Sequence, residues 1–363
     1  MNMKIKESAL FWPAKLKGRI LFVLDETLLP EKLEYIHVRN TDEAVQVISD
    51  MKTRAFGQFL VVLNTFLLEL GNNVGTGLPV LERLKDGPGK PVPTKILLKR
   101  IQKIAKSLNN SRPTFPFSEV TSMVIQWAKQ AESLRAQQSE AKQSPGLLRR
   151  LSAPRNDYVV SFVRKNILGY LEGIRFRRLE RVQKIAQVIQ DGDRILTHCN
   201  VSGELAMAAY IAQQAKKKIQ FFATETRPYL QGAKLTCWEL KKMGADVTLI
   251  ADNAVASVMA GGLVNKVIVG SDRSCANGDF ANKIGTYQIA VMAKEFRIPF
   301  YVLTQPSAKI KSGEDIPIEI RDEKELLVYS GKRIVEGRVK GFYPGFDVVP
   351  NELISGSIAI NVN

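Results

Sequence analysis

From Asp191 onward, short β-branched runs alternate with amphipathic segments, and few folds accommodate that order. RILTHC (194–199), IQFFATE (219–225), DVTLIAD (246–252), KVIVGSD (266–272) and PFYVLTQ (299–305) read as strands. Between them, SGELAMAAYIAQQAKK (202–217), LQGAKLTCWELKKMG (230–244), AVASVMAGG (254–262) and DFANKIGTYQIAVMAKEF (279–296) carry helical spacing. Strand–helix alternation of this kind predicts a parallel, doubly wound, Rossmann-like sheet.

The first half reads differently. TDEAVQVISDMKTRAFGQFLVVLNTFLLEL (41–70) opens on a Thr-Asp cap signal and predicts one helix running to Gly71. Residues 71–93 are rich in Gly, Pro and Asn and predict loops. PTKILLKRIQKIAKSL (93–108) and SEVTSMVIQWAKQAESLRAQQ (118–138) predict amphipathic helices, 139–158 a linker or exposed turn, and the chain to about Ile189 another helix. GRILFVLDETLLP and KLEYIHVRN predict a small β element. The fold class expected is therefore α/β. A mostly helical N-terminal domain with a basic linker (1–190) precedes a Rossmann-like catalytic domain (191–363), with the site in the cleft between them.

Composition narrows the classes. No apolar run reaches the ~18 residues of a membrane span, and the N-terminus lacks the apolar stretch of a signal peptide. Cys199, Cys237 and Cys275 form no CxxC pair, which predicts reduced thiols in a cytoplasmic protein. Two histidines, His37 and His198, leave little from which to build a zinc site, so no metal is expected. Residues 191–363 hold 21 Lys and Arg against 19 Asp and Glu, a net of +2. Of the chain's 52 and 36, this leaves 31 and 17, a net of +14, for residues 1–190. A basic half of this kind attracts nucleic acid, acidic partners or phosphorylated substrates, or else lines solvated helix faces.

Four polar signatures, THCN, TETRP, ADN and GSDR, fall at the carboxyl ends of four predicted strands. Open α/β sheets bind ligands there, near the point where strand order reverses. Asp279 reads as the N-cap of a helix whose first turn holds Asn282 and Lys283, an arrangement that suits an anion or is simply a capped helix. Cys199 after His198 suits an acid–base thiol or a small buried residue. Arg227 suits a phosphate contact or, more simply, a pair with Glu225; Arg54 and Arg112 suit a phosphate or a solvated surface.

LTHCN, ETRPYLQGAKLTCWEL, ADN, GSDRSCANGDFANKIGTYQIAVMAK and PFYV, with IPIEIR, GKRI and PGFDVVPNELI, resemble the methylthioribose-1-phosphate isomerase family. That family shares a superfamily with ribose-1,5-bisphosphate isomerase and the regulatory subunits of translation initiation factor 2B. LDETLLP, ISDMKTR and SRPT extend the likeness more thinly into the first half. The resemblance implies a cofactor-independent isomerase of methionine salvage, a homodimer acting on a small sugar phosphate. It implies Cys199 and Asp272 as the catalytic pair, and Arg54, Arg112, Gln231, Asn282 and Lys283 as phosphate and sugar contacts.

The chemistry accounts for such a pair. A sugar phosphorylated on its anomeric oxygen has no free aldehyde, so the ring must open with the phosphate attached. A hydrogen then moves from C2 to C1, as a proton through an enolate-type intermediate or as a hydride. One group protonates the ring oxygen and another handles the C2 hydroxyl proton. Asp272 is expected as the principal acid–base group, with Cys199 as its partner near C1–C2. The chain departs from the family pattern after Arg54, where Ala55-Phe56-Gly57-Gln58 stand in place of the usual G-A-P-A, at Phe115-Pro116-Phe117, and at Val201-Ser202-Gly203. These departures motivate a sister isomerase, for ribose 1,5-bisphosphate or a deoxy-pentose 1-phosphate, as the alternative substrate reading. The basic half motivates a regulatory or RNA-associated protein, although the Cys–Asp pair argues against one.

Overall fold

The alternation after Asp191 folds into one six-stranded parallel sheet. The computed structural model describes residues 6–71, 94–112, 115, 117–140, 155–305, 307 and 309–360. The loops expected over 71–93 and most of the linker expected over 139–158 lie outside these residues. The chain forms two compact units. One comprises Trp12–Leu28 and Lys32–Ile174; the other comprises Met1–Phe11, Leu29–Glu31 and Arg175–Asn363.

The first unit opens on an antiparallel sheet of β1 (Ala14–Lys17), β2 (Ile20–Leu24) and β3 (Tyr35–Val38). Helices α1 (Thr41–Ser49), α2 (Ala55–Gly71), α3 (Thr94–Ser111) and α4 (Phe117–Glu140) follow, with the first part of α5 (Arg155–Val188). The single helix expected over 41–70 is two. Asn40, not the Thr-Asp pair, caps α1, its side chain accepting from Glu43 N at 2.9 Å. Met51 takes φ +53 and closes the helix in the left-handed region. This break places Arg54 directly ahead of α2. Most of α2 is buried, and its polar Asn64 and Thr65 satisfy themselves on the carbonyls of Leu60 and Val61 at 2.8 and 2.7 Å.

In the second unit β4 (Arg194–Thr197), α6 (Glu204–Gln214) and β5 (Gln220–Thr224) lead to a π-turn at Gly232–Thr236 and α7 (Cys237–Lys242). Next come β6 (Asp246–Ile250), α8 (Val255–Ala260), β7 (Lys266–Val269), β8 (Arg273–Ser274), β9 (Phe280–Lys283), α9 (Thr286–Glu295) and β10 (Phe300–Thr304). A short α10 (Lys324–Leu327), a hairpin of β11 (Val328–Tyr329) and β12 (Lys332–Arg333), then β13 (Phe346–Val349) and β14 (Gly356–Ala359) complete it. The sheet order is β14-β10-β7-β4-β5-β6, so the chain leaves β4 in one direction for β5 and returns to its other side for β7. The all-buried runs of β7 and the last three residues of β4 are those of central parallel strands covered on both faces.

The helix expected over 279–296 begins later. Residues 280–283 form β9, held antiparallel between β8 and β13. Its Phe280 packs with Phe300, Val302 and Val349 in the core, which a helical start would not allow. Asn282 and Lys283 are therefore strand residues rather than members of a first helical turn. Asp279 caps no helix there: its carboxylate accepts from Gly313 N at 3.0 Å and Asn351 N at 2.9 Å.

Candidate active site

Cys199 and Asp272 follow β4 and β7 by two and three residues, and those strands are hydrogen-bonded neighbours. They thus stand beyond the carboxyl ends of the two strands between which sheet order reverses. Cys199 takes φ +61, a strained conformation for a side chain with a Cβ. Two threonines hold it there. Its N–H donates to Thr226 Oγ1 at 3.0 Å, and its carbonyl accepts from Thr236 Oγ1 at 2.5 Å. Asn200 fixes the next turn, donating to Glu239 Oε1 at 2.8 Å and accepting from Ser202 N at 2.9 Å.

Beneath that turn lies a buried ion cluster. Arg178 Nε and Arg181 Nε each donate to Glu204 at 2.5 Å, while Arg178 also donates to the carbonyls of Phe11 and Ser202 at 2.8 Å. Burial alone would push the Glu204 carboxyl up; Arg181 and Arg178 outweigh it and hold the carboxyl below its usual range. The sequence reading did not anticipate this cluster. Its signal is two arginines three apart in α5, on one face of the helix.

His198 is not a charge partner for the thiol. Its Nε2 meets the Ile284 carbonyl at 2.8 Å, which requires a proton on Nε2, so Nδ1 accepts from Thr224 Oγ1 at 2.6 Å. Burial lowers its pKa and keeps it neutral, against the opposing pull of the Ile284 carbonyl. Gly285 permits this packing: at φ +101 it would place a Cβ 3.2 Å from the His198 ring.

The β5 and β6 tips are one device. Asp252 accepts from Thr226 N and Arg227 N, both at 2.7 Å, and so orders the turn that carries Thr226 at φ +62. Arg227 does not pair with Glu225; its guanidinium lies 4.8 Å over the Tyr329 ring. Gln231 is 2% exposed and its Oε1 has no hydrogen-bond partner. Gly232 follows where a Cβ would come within 1.7 Å of the Thr224 carbonyl oxygen.

Asp272 is exposed, and its N–H donates to Ala281 O at 2.9 Å, which ties it to β9. On β9, Asn282 donates to Thr286 Oγ1 at 3.0 Å. Lys283 is 7% exposed, its ammonium 4.7 Å from the Phe346 ring centre and 5.9 Å from that of Tyr229. The rings face the ammonium with their π-systems, and the Glu325 carboxylate lies within its electrostatic reach. Asp347 accepts from Gly285 N and Tyr287 N at 2.6 and 3.0 Å, securing the start of α9.

Arg54 and Arg112 belong to the other unit, Arg54 directly ahead of α2 and Arg112 anchored to Gln58 of that helix. Arg54 N donates to Glu26 Oε1 at 3.2 Å and its side chain lies 4.0 Å from the same carboxylate. Arg112 donates to Gln58 Oε1 at 2.9 Å and stacks 5.0 Å over Phe115. Two residues at which the chain departs from the family pattern, Gln58 and Phe115, thus orient Arg112. Among the described residues, no group of three or more His, Cys, Asp or Glu side chains could hold a metal ion, and no helix is long and apolar enough to cross a membrane.

The sequence pattern of the initiation factor 2 subunit family matches residues 88–359. A methylthioribose-1-phosphate isomerase of Desulforudis audaxviator (strain MP104C) is 37% identical over 367 residues, covering 96% of this chain and 92% of that protein. One of Thermosipho africanus (strain TCF52B) is 34% identical over 98% of this chain and 94% of its own. Among solved structures, the 5-methylthioribose 1-phosphate isomerase of Pyrococcus horikoshii OT3 superposes with a TM-score of 0.74 at 27% identity, over 99% of this chain and 94% of its own. The translation initiation factor eIF-2B subunit delta of A. fulgidus does so with a TM-score of 0.73 at 30% identity, over 96% and 94%.

Proposed function

The chain belongs to the initiation factor 2 subunit family, and from that membership we propose that it is an aldose–ketose isomerase converting 5-methylthioribose 1-phosphate to 5-methylthioribulose 1-phosphate. The fold alone does not separate enzyme from factor, since the two superpositions score 0.74 and 0.73. The observation that carries the reading is the pair Cys199 and Asp272 beyond neighbouring strands at the reversal of sheet order.

In this reading Asp272 shuttles the proton between the reacting oxygens and Cys199 acts beside C1–C2. Gln231, Asn282, Lys283, Arg54 and Arg112 are the contacts assigned to the sugar phosphate, the two arginines through charge-assisted hydrogen bonds. The enzyme acts in the cytoplasm as a homodimer. Ile320, Tyr329, Ile334, Val339 and Phe342, each 47–75% exposed, supply apolar surface for the pairing. Sedimentation as a 40.5 kDa monomer at micromolar concentration would count against the dimer.

The decisive test offers purified protein a panel of aldose 1-phosphates and follows ketose product by NMR. Methylthioribose 1-phosphate should be turned over best. Preference for ribose 1,5-bisphosphate would favour the sister isomerase suggested by Phe56 and Phe115, and no turnover of any member would sink the enzymatic reading.

A further inference from the structure

Among the described residues of the sheet unit, three buried side-chain polar atoms have no hydrogen-bond partner: Thr197 Oγ1, Gln231 Oε1 and Tyr343 Oη. Buried hydroxyls are ordinarily paired, so each such atom calls for a reason. Gln231 already belongs to the site read above. Tyr343 does not, and it is 3% exposed although its neighbour Phe342 is 75% exposed.

The backbone explains where the Tyr343 ring is held. Its carbonyl accepts from Arg321 N at 2.9 Å, and Gly345 N donates to Glu319 O at 2.8 Å. On the other side, Gly345 O accepts from Ile284 N at 3.2 Å, and the Ile284 carbonyl is the one that takes His198 Nε2. The segment 343–345 is therefore stitched to the residue pair that carries Cys199. The Tyr343 hydroxyl lies within electrostatic reach of Tyr229, Glu325, Arg321 and Cys199. Arg321 and Glu325 satisfy one another at 2.6 and 2.8 Å, and Arg321 also donates to Tyr229 Oη at 2.5 Å. Arg321, Glu325 and Tyr229 are thus engaged with one another, and the Tyr343 hydroxyl stays unpaired within electrostatic reach of Cys199.

We propose that Tyr343 is a further substrate-binding residue, whose hydroxyl donates a hydrogen bond to a sugar oxygen of the aldose 1-phosphate next to Cys199. The inference rests on the isomerase reading. Burial, then the neighbouring Tyr229 and Glu325, push its pKa up, so at working pH it keeps its proton and serves as a donor rather than as a base. A bound sugar oxygen would give the buried hydroxyl a hydrogen-bond partner.

The test is Tyr343→Phe in the full chain, which keeps the ring and removes the hydroxyl. kcat/KM on 5-methylthioribose 1-phosphate should fall about tenfold, as for one lost hydrogen bond. Binding of inorganic phosphate, which lacks the sugar, should stay at the wild-type value. The melting temperature should hold or rise, because an unpaired buried group has gone. Wild-type kcat and KM in Tyr343→Phe, with the wild-type enzyme active, would overturn this inference alone. So would a fall in melting temperature with unchanged kinetics, the mark of a structural hydroxyl bound to trapped water. A wild-type protein that neither converts nor binds any aldose 1-phosphate would remove the isomerase reading and this inference together.

Discussion

Cys199 and Asp272 are held in different ways, and the difference assigns their tests. Cys199 is pinned by backbone bonds to Thr226 and Thr236, whereas Asp272 is exposed and tied to β9 through its N–H. Replacing either side chain leaves those backbone bonds in place. Asp272→Asn should lower kcat by about 10²–10⁴-fold, the usual worth of a positioned acid–base group, with phosphate-ligand binding retained. Cys199→Ser should be severely impaired as well, since a hydroxyl is far less acidic than a thiol. A Cys199→Ala variant turning over near the wild-type rate would show the pair to be wrongly assigned. His198 makes a different prediction, in stability rather than rate. Its folded pKa lies below the ordinary 6.5, so the unfolded chain binds the proton first as pH falls. Its contribution is whole above about 6.5 and is lost below it, at up to about 1.4 kcal/mol per pH unit, until the folded ring protonates too. Denaturant melts of wild type and His198→Gln across that range should differ in slope. Parallel curves would show that the ring titrates equally in both states.

At the scale of elements, the turn after β4 depends on the Arg178–Glu204–Arg181 cluster that joins α5 to α6. Arg178 and Glu204 are 3% and 1% exposed, so neither can fall back on water. Glu204→Gln leaves two arginines facing each other in the interior and should cost about 3–5 kcal/mol in urea unfolding. A loss under 1 kcal/mol would show the cluster to be solvated. These elements also show what a sequence carries and what it does not. β4, β5, β7 and β10 were legible because central parallel strands are continuous β-branched or aromatic runs, and the edge strand β6 because Val247, Thr248 and Ile250 are β-branched. β9 was not. Ala281, Asn282 and Lys283 have poor strand propensity, and only pairing with β13 and β8 holds them extended. The edge strand β14, Gly-Ser-Ile-Ala, is hidden for the same reason, its register set wholly by β10. The break at Met51 is hidden because Asp50-Met51-Lys52 continues the helical period; a left-handed residue with an ordinary side chain leaves no mark in the sequence. Of the site, the residues with chemistry could be read from strand-tip motifs. The partners that hold them, Asp252 for the β5 turn and Thr226 and Thr236 for Cys199, could not, because their roles follow from burial and long-range pairing.

For the whole molecule the unevenness of charge is the feature with a measurable consequence. Residues 1–190 carry +14 of the chain's +16, and they include Arg54 and Arg112. On α3, Leu97, Ile101, Ile104, Ala105 and Leu108 are buried while Lys99, Lys103 and Lys106 are exposed. Arg100 on the same helix is engaged by Glu69 at 2.7 Å. That is the pattern of a solvated helix face, with lysines spread rather than gathered into a binding groove. A field of this kind draws in a phosphorylated sugar from a distance, and salt screens it over about 10 Å at 0.1 M. kcat/KM should therefore fall modestly as NaCl rises, with kcat little changed. Arg54→Ala and Arg112→Ala act at contact instead, and each should raise KM by the loss of a charge-assisted hydrogen bond, about 1.5–3 kcal/mol. Binding to nucleic acid through the same half would look different, because many scattered lysines would contribute and log affinity would fall linearly with log salt. Sub-micromolar RNA binding at physiological salt would overturn the substrate-steering account, as would wild-type turnover after both arginines are removed.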